Sequence, residues 1–223
     1  MWKIKKDLLI DTELPFNNFV TTKNIGNMRE DSLRKSFCKA RDLDFRSLTT
    51  VQQVHGNRIA VVNESNKGMQ IPLADGLVTK SNGISLAVFT ADCLPVFFWS
   101  RDKTVIGMAH AGWKGLAKKI LPKMVEIFSQ KFGVSSKDVF VSIGPHIQQC
   151  CYEVGSEVLK EFNISQKSRK LDLSSIAVKQ LMDAGVKNIS SSCKCTCHET
   201  DLFFSYRKDK TDNRMMSVVN KLK

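Results

Sequence analysis

The sequence predicts an α+β fold, a single layered domain over residues 1–223 whose mixed β-sheets are flanked by helices. Three observations carry this. Short runs such as Ser85–Ala91 and Pro95–Trp99 are almost wholly apolar, which suits strands covered on both faces. Other stretches place apolar residues at helical spacing, foremost Leu116, Ile120, Met124, Ile127 and Phe128. The two kinds of segment do not alternate strictly, which argues against a regular parallel barrel.

In chain order, Phe19–Thr22 has strand character, and Asp31 is placed to cap a helix running through Leu33, Phe37 and Ala40. Thr50–Asn63 is rich in branched residues, with Gly56-Asn57 as a turn signal inside it. Leu77–Thr79 and Ile84–Trp99 read as further strands, parted by Ser81-Asn82-Gly83. Thr104–Ala111 is another, and Gly112–Gly115 a tight connection. One helix is expected over Leu116–Phe132, stopped by Gly133. Val139–Ile143 reads as a strand ended by Gly144-Pro145. Helices are expected over Ser156–Phe162 and Ser174–Ala184, and late strands over Leu202–Tyr206 and Met215–Val219.

Composition narrows the function classes. Of 223 residues, 42% are hydrophobic and 25% charged, which is ordinary globular usage. No apolar run approaches the roughly 20 residues of a membrane span, and no signal-peptide pattern follows the basic start, so a cytoplasmic, membrane-free protein is expected. The net charge is +12, but the cations are spread out rather than gathered in a block or a basic-aromatic stripe, which argues against nucleic acid as partner. Seven cysteines without an export signal read as free thiols or metal ligands rather than a disulfide framework.

Two of the four histidines, His55 and His110, stand at strand ends beside glycine, and Cys93 follows a buried-looking strand. Spacing alone leaves two readings. They are structural residues, or they are three protein ligands of a zinc ion whose fourth position is left for water. A zinc ion in such a site acidifies water to near-neutral pKa.

Local motifs add to this. Gln52-Gln53-Val54-His55-Gly56, Ala74-Asp75-Gly76, Ala91-Asp92-Cys93-Leu94-Pro95 and His110-Ala111-Gly112-Trp113-Lys114-Gly115 occur in order. Ile143-Gly144-Pro145, Cys151-Tyr152-Glu153-Val154-Gly155 and Phe203-Phe204-Ser205-Tyr206-Arg207 follow. In these the chain resembles the laccase-domain polyphenol oxidase family, whose members are also described as purine nucleoside phosphorylases and peptidoglycan editing factors. The resemblance implies α/β/β/α layering, similar to the cytotoxic necrotizing factor-like cysteine hydrolase fold. It implies zinc held by His55, Cys93 and His110, with Cu2+ as the alternative ion. It also implies phosphorolysis of adenosine, inosine and methylthioadenosine, with deamination of adenosine, so that the partners are a small-molecule nucleoside and phosphate.

Around the ligands, Asp75 and Asp92 are the candidate acid–base groups, with Asp92 alternatively only orienting a turn. Lys114, ahead of a helix, and Arg207 are candidates for phosphate, or else surface cations. The run Cys193, Cys195, Cys197, His198 is a candidate second soft-metal site that lacks the usual two-residue ligand gap, while Cys150 and Cys151 read as buried small residues. Two departures from the family stand out: the glycine-rich loop before Thr21–Gly26 is missing, and Phe37-Cys38 falls where the first helix carries an Asn-Arg pair. The rival readings are a Cys93–His110 cysteine hydrolase, a peptidoglycan-precursor editing amidase, a copper-dependent polyphenol oxidase and a metal-binding protein without turnover.

Overall fold

The computed structural model describes residues 1–165 and 169–221. Its strands are β1 (Trp2–Lys5), β2 (Leu8–Asp11), β3 (Asn17–Thr21), β4 (Leu48–Val51), β5 (Ile59–Val61), β6 (Gln70–Ile71) and β7 (Gly76–Thr79). They continue as β8 (Ser85–Thr90), β9 (Leu94–Ser100), β10 (Ile106–Ala111), β11 (Val139–Ile143), β12 (Asn188–Ser191) and β13 (Met215–Asn220). The α-helices are α1 (Asp31–Ala40), α2 (Trp113–Ala117), α3 (Ile120–Phe132), α4 (Ser156–Lys160), α5 (Leu173–Asp183) and α6 (Tyr206–Asp209). A seven-stranded sheet has the order β1-β2-β3-β13-β8-β4-β6, and a six-stranded sheet the order β12-β11-β9-β10-β7-β5. Both mix parallel and antiparallel pairs.

Strand alternation explains the layers. In β8, Leu86 and Val88 enter a core shared with Phe97 and Trp99 of β9 and with Ile106 and Met108 of β10, so this core lies between the sheets. Ala87 and Phe89 point the other way and pack with Phe37 and Cys38 of α1. Val96 and Phe98 of β9 and Ala109 and Ala111 of β10 pack on Met124 and Phe128 of α3 and Leu181 of α5. The layering is therefore helix, sheet, sheet, helix, as the family resemblance implies, and the near-continuous apolar runs are strands buried on both faces.

Several local expectations are corrected. The single helix over Leu116–Phe132 is two, α2 and α3, separated at Lys119, which adopts a left-handed φ of 61°. Pro122 is the cause. It has no amide to donate to the Lys118 carbonyl, and it is tolerated only because it falls in the first turn of α3. The freed Lys118 carbonyl accepts instead from Asn57 Nδ2 at 2.6 Å, which anchors the loop that carries His55. Gly133 ends α3 in the left-handed conformation, as expected.

Leu202–Tyr206 is not a strand. Its apolar character comes from Phe203, which fills the inter-sheet core, and Ser205 caps the short α6 by accepting from the Lys208 amide. The residue capping α1 is Glu30, with Asp31 already helical. The Gly56-Asn57 turn joins no hairpin, because β4 and β5 lie in different sheets. The β1–β2 hairpin and β12 escape sequence reading. The hairpin turns on Lys6 and Asp7, both at positive φ with no glycine to signal it, and β1 and β12 are exposed or half-buried edge strands without apolar periodicity.

Candidate metal centre

Three segments meet at one end of the sandwich. β4 runs out into residues 52–58, which carry His55. β8 hands over to β9, in the other sheet, through only Ala91-Asp92-Cys93, and this abrupt change of sheet leaves Asp92 at a φ of 88°. His110 lies near the end of β10. Its neighbours Ala109 and Ala111 face α3, so its side chain faces the opposite side, toward the space between the sheets. The ligand atoms of His55, Cys93 and His110 all lie within 4.8 Å of one another. The two imidazole rings are 4.8 Å apart and nearly perpendicular.

Asp75 organises this triad from behind. It is fully buried, and one oxygen lies 2.8 Å from His110 Nδ1. The amides of Val54, His55 and Gly56 donate to the same carboxylate at 3.2, 3.0 and 2.7 Å. The carboxylate thus gathers a nest of amides, holds His55 in its left-handed conformation (φ 56°), and accepts a hydrogen bond from His110 Nδ1, leaving Nε2 for a ligand role. Burial alone would raise the Asp75 pKa, but the His110 contact and the amides outweigh it and hold it below the usual carboxylate range.

The charges in the triad are coupled. Burial pushes the Cys93 thiol up, yet the facing His110 and His55 outweigh this and bring it down to about 6. Burial alone would lower His110, but Cys93 and Asp75 raise it to about 9. A thiolate beside a carboxylate-buttressed imidazole is a donor set suited to zinc. Gly112 keeps the triad compact, since a Cβ there would lie 2.8 Å from Cys93 Sγ and 3.3 Å from His55 Cδ2.

Asp92 lines the cleft but is held on both oxygens. Thr196 and Ser205 hydroxyls donate to one at 2.7 and 2.8 Å, and the Arg207 amide to the other at 2.6 Å. The triad forms the floor of a cleft of about 510 Å³ whose walls include Phe89, Trp113, Tyr152 and Tyr206 and the cations Arg29, Lys114, Arg207, Lys210 and Arg214. Burial, with Cys93 second, pushes the Tyr152 phenol up to about 12, so it stays protonated at neutral pH.

Of the anion candidates named from sequence, Lys114 sits over the Trp113 ring at 5.5 Å, on a helix of only five residues. The Arg207 guanidinium stacks on Tyr152 at 5.0 Å and donates to the Glu153 carbonyl. Sequence reasoning passed over Arg29, Lys210 and Arg214, which no motif marks, and over Gln53, Tyr152 and Tyr206, which stand inside or beside motifs but carried no assigned role. Gln53 exchanges two 2.8 Å hydrogen bonds with the backbone of Phe89, tying the His55 loop to β8. The fourth histidine, His146, is buried and structural, bonded to the Gly144 carbonyl and to Gln148.

The tail run does not gather as written. Cys193 and Cys197 stand outside the second cluster, which comprises Cys150, Cys151, Cys195 and His198. Cys150 is exposed and Cys151 half-buried, so neither is the buried small residue expected.

The chain matches the family model described as multi-copper polyphenol oxidoreductase laccase over residues 17–221. It is 34% identical over 216 residues to a purine nucleoside phosphorylase of Clostridium acetobutylicum, covering 92% of this chain and 87% of that protein. It is 31% identical over 232 residues to purine nucleoside phosphorylase YlmD of Bacillus subtilis, covering 93% and 84%. The crystal structure of YlmD from Geobacillus stearothermophilus superposes with a TM-score of 0.91 at 29% identity, covering 100% of this chain and 99% of that one. That of the hypothetical protein YfiH from Bacillus licheniformis gives 0.89 at 28% identity, with the same coverage. No helix among the described residues is long and apolar enough to cross a membrane. With matches of this length and identity, the chain belongs to the laccase-like family whose curated members are named purine nucleoside phosphorylases.

Proposed function

We propose that the chain is a zinc-dependent purine nucleoside enzyme that phosphorolyses adenosine, inosine and methylthioadenosine and also deaminates adenosine. The observation that carries this reading is the His55–Cys93–His110 triad at the floor of a cleft walled by aromatic rings and cations. The donors fit zinc: one acidified thiol and two imidazoles, one of them fixed by Asp75. When bound there, the ion supplies Lewis acidity and positive charge at the reacting centre. Cu2+ is the alternative occupant of a His2Cys set.

In phosphorolysis the C1′–N9 bond of the nucleoside breaks, a phosphate oxygen bonds to C1′, and the base leaves with a proton. Trp113, Tyr152 and Tyr206 offer aromatic faces for a purine. Arg29, Lys114, Lys210 and Arg214 supply charge for phosphate. Tyr152, kept as a phenol, offers a hydrogen bond to the departing base. Asp75 and Asp92 are assigned positioning rather than proton transfer, because each carboxylate is committed to at least three donors. Arg207 positions Asp92 through its amide and Tyr152 through its guanidinium.

The test is a nucleoside panel incubated with and without phosphate and read by mass spectrometry, alongside metal content. The expected result is phosphate-dependent release of purine base and ribose 1-phosphate. Purine release that ignores phosphate would remove the phosphorolytic reading. The lowered Cys93 thiol beside a raised His110 favours one second reading, a cysteine nucleophile. Activity that survives chelation but not alkylation of Cys93 selects it.

A further inference from the structure

The second cluster joins two segments far apart in sequence. Cys150 and Cys151 end the loop that follows Gly144-Pro145. Cys195 and His198 belong to the turn after β12, bound to that loop by the His146–Cys195 bridge and by the Thr196 amide donating to the His146 carbonyl at 3.1 Å. The four ligand atoms all lie within 4.8 Å of one another. Cys150 Sγ is 3.7 Å from Cys151 Sγ and 3.6 Å from His198 Nδ1. Zinc–sulfur bonds of about 2.3 Å and zinc–nitrogen bonds of about 2.0–2.1 Å give a tetrahedron with S···S edges of about 3.8 Å and S···N edges of about 3.5 Å. The Cys150–Cys151 and Cys150–His198 separations already match those edges.

We propose that Cys150, Cys151, Cys195 and His198 form a second zinc site, closed by four protein ligands and structural in role. Three thiolates and an imidazole leave no position for water, unlike the open triad below the cleft. The Gln148 amide points at Cys195 Sγ at 3.5 Å, the N–H···S contact that supports a metal thiolate. Cys150 and His198 are exposed, so the ion has a route of entry, while Cys195 is buried and anchors the set.

The site has a consequence for the first one. Thr196, next to Cys195, donates to the Asp92 carboxylate at 2.7 Å. Ile147, in the loop that leads to Cys150, donates its amide to the Asp92 carbonyl at 2.9 Å. The second ion therefore clamps together two of the three segments that hold the residue preceding Cys93, the third carrying Ser205 and Arg207, and its loss loosens Asp92 and, through it, Cys93.

The test is zinc content after reductive purification and saturation with zinc alone, on wild type, Cys93→Ala, Cys150→Ser, His198→Ala and the Cys93→Ala/Cys150→Ser double variant. Wild type is expected to hold two zinc ions per chain, the three single variants one each and the double variant none. X-ray absorption of zinc-loaded Cys93→Ala is expected to show three sulfurs and one nitrogen. Cys150 and His198 are exposed, and circular dichroism verifies that their variants fold. Folded Cys150→Ser and His198→Ala that still bind two ions, or a zinc shell in Cys93→Ala with fewer than three sulfurs, overturn the proposal. Because Cys93→Ala disables the first site, the outcome is independent of whether the chain turns over nucleosides.

Discussion

Replacing Gly112 by alanine perturbs the triad without replacing a ligand. The backbone at 112 has φ −80° and ψ 175°, which alanine adopts freely, so the substitution acts only through the added methyl. That methyl would lie 2.8 Å from Cys93 Sγ, where non-bonded heavy atoms settle at about 3.5–4.0 Å. The sulfur or the backbone must therefore retreat by about 0.7–1.2 Å, whereas metal–ligand distances tolerate about 0.2 Å. The contact with His55 Cδ2 at 3.3 Å closes the opposite escape. Zinc affinity at the triad is expected to fall by at least the 10–100-fold or so typical of a lost supporting contact, with about 1–3 kcal/mol of overpacking strain in the metal-free protein. Competition of zinc against a chromophoric chelator, in a Cys150→Ser background so that one site is read, measures the first. Urea denaturation measures the second. In a Cys93→Ala background the alanine should cost much less, because its main obstacle is gone. If Gly112→Ala binds zinc as tightly as its parent, the triad is not packed as described.

Further expectations concern charge. Removal of Asp75 as Asp75→Ala should destabilise the metal-free protein by about 3–5 kcal/mol in urea, since it strands His110 and three amides around a buried gap. Because the native Asp75 pKa is lowered, its stabilisation is present above the unfolded value of about 3.9 and disappears as pH falls through the native one. Acid unfolding of Asp75→Asn should therefore lose part of the wild-type dependence below about pH 4; an unchanged acid limb removes this assignment. In chelated protein the alkylation of Cys93, followed on its own peptide, should rise with a midpoint of about 6, and a midpoint near that of a free thiol contradicts the pairing with His110. The Cys93–His110 ion pair is lost below about 6 as the thiolate protonates and above about 9 as the imidazolium deprotonates, so its stabilisation peaks between. Arg29→Ala and Arg214→Ala should each raise KM for phosphate by about tenfold or more, with a smaller change in KM for nucleoside; equal changes in both would point to a general loss of cleft shape.

Much of the fold was legible because its central strands are buried on both faces, so Ser85–Ala91, Pro95–Trp99 and Val139–Ile143 announce themselves by apolarity alone. What stayed hidden was decided by partners distant in sequence. The β1–β2 hairpin has no turn residue to mark it, and Phe203 reads as strand until the inter-sheet core it fills is known. The helix break had a local signal, Pro122, that helical periodicity overrode. In the site, His55, Cys93 and His110 stood out by their motifs, but the roles of Asp75 and Asp92 depend on donors brought from residues 54–56, 110, 196, 205 and 207. The second cluster is the clearest case. The tail motif suggested consecutive ligands, whereas the turn geometry selects Cys195 and His198 and takes the other two thiols from residues 150 and 151.

Three side chains from separate segments, the loop after β4, the β8–β9 connection and β10, share one ion. A crystal of the zinc-loaded protein, with anomalous data collected on both sides of the zinc edge, tests it most directly. The expected result is a peak about 2.3 Å from the sulfur of Cys93 and about 2.0–2.1 Å from one nitrogen each of His55 and His110, with solvent or ligand in the remaining direction. Anomalous density found only beside Cys195, or none within bonding distance of Cys93, would contradict it.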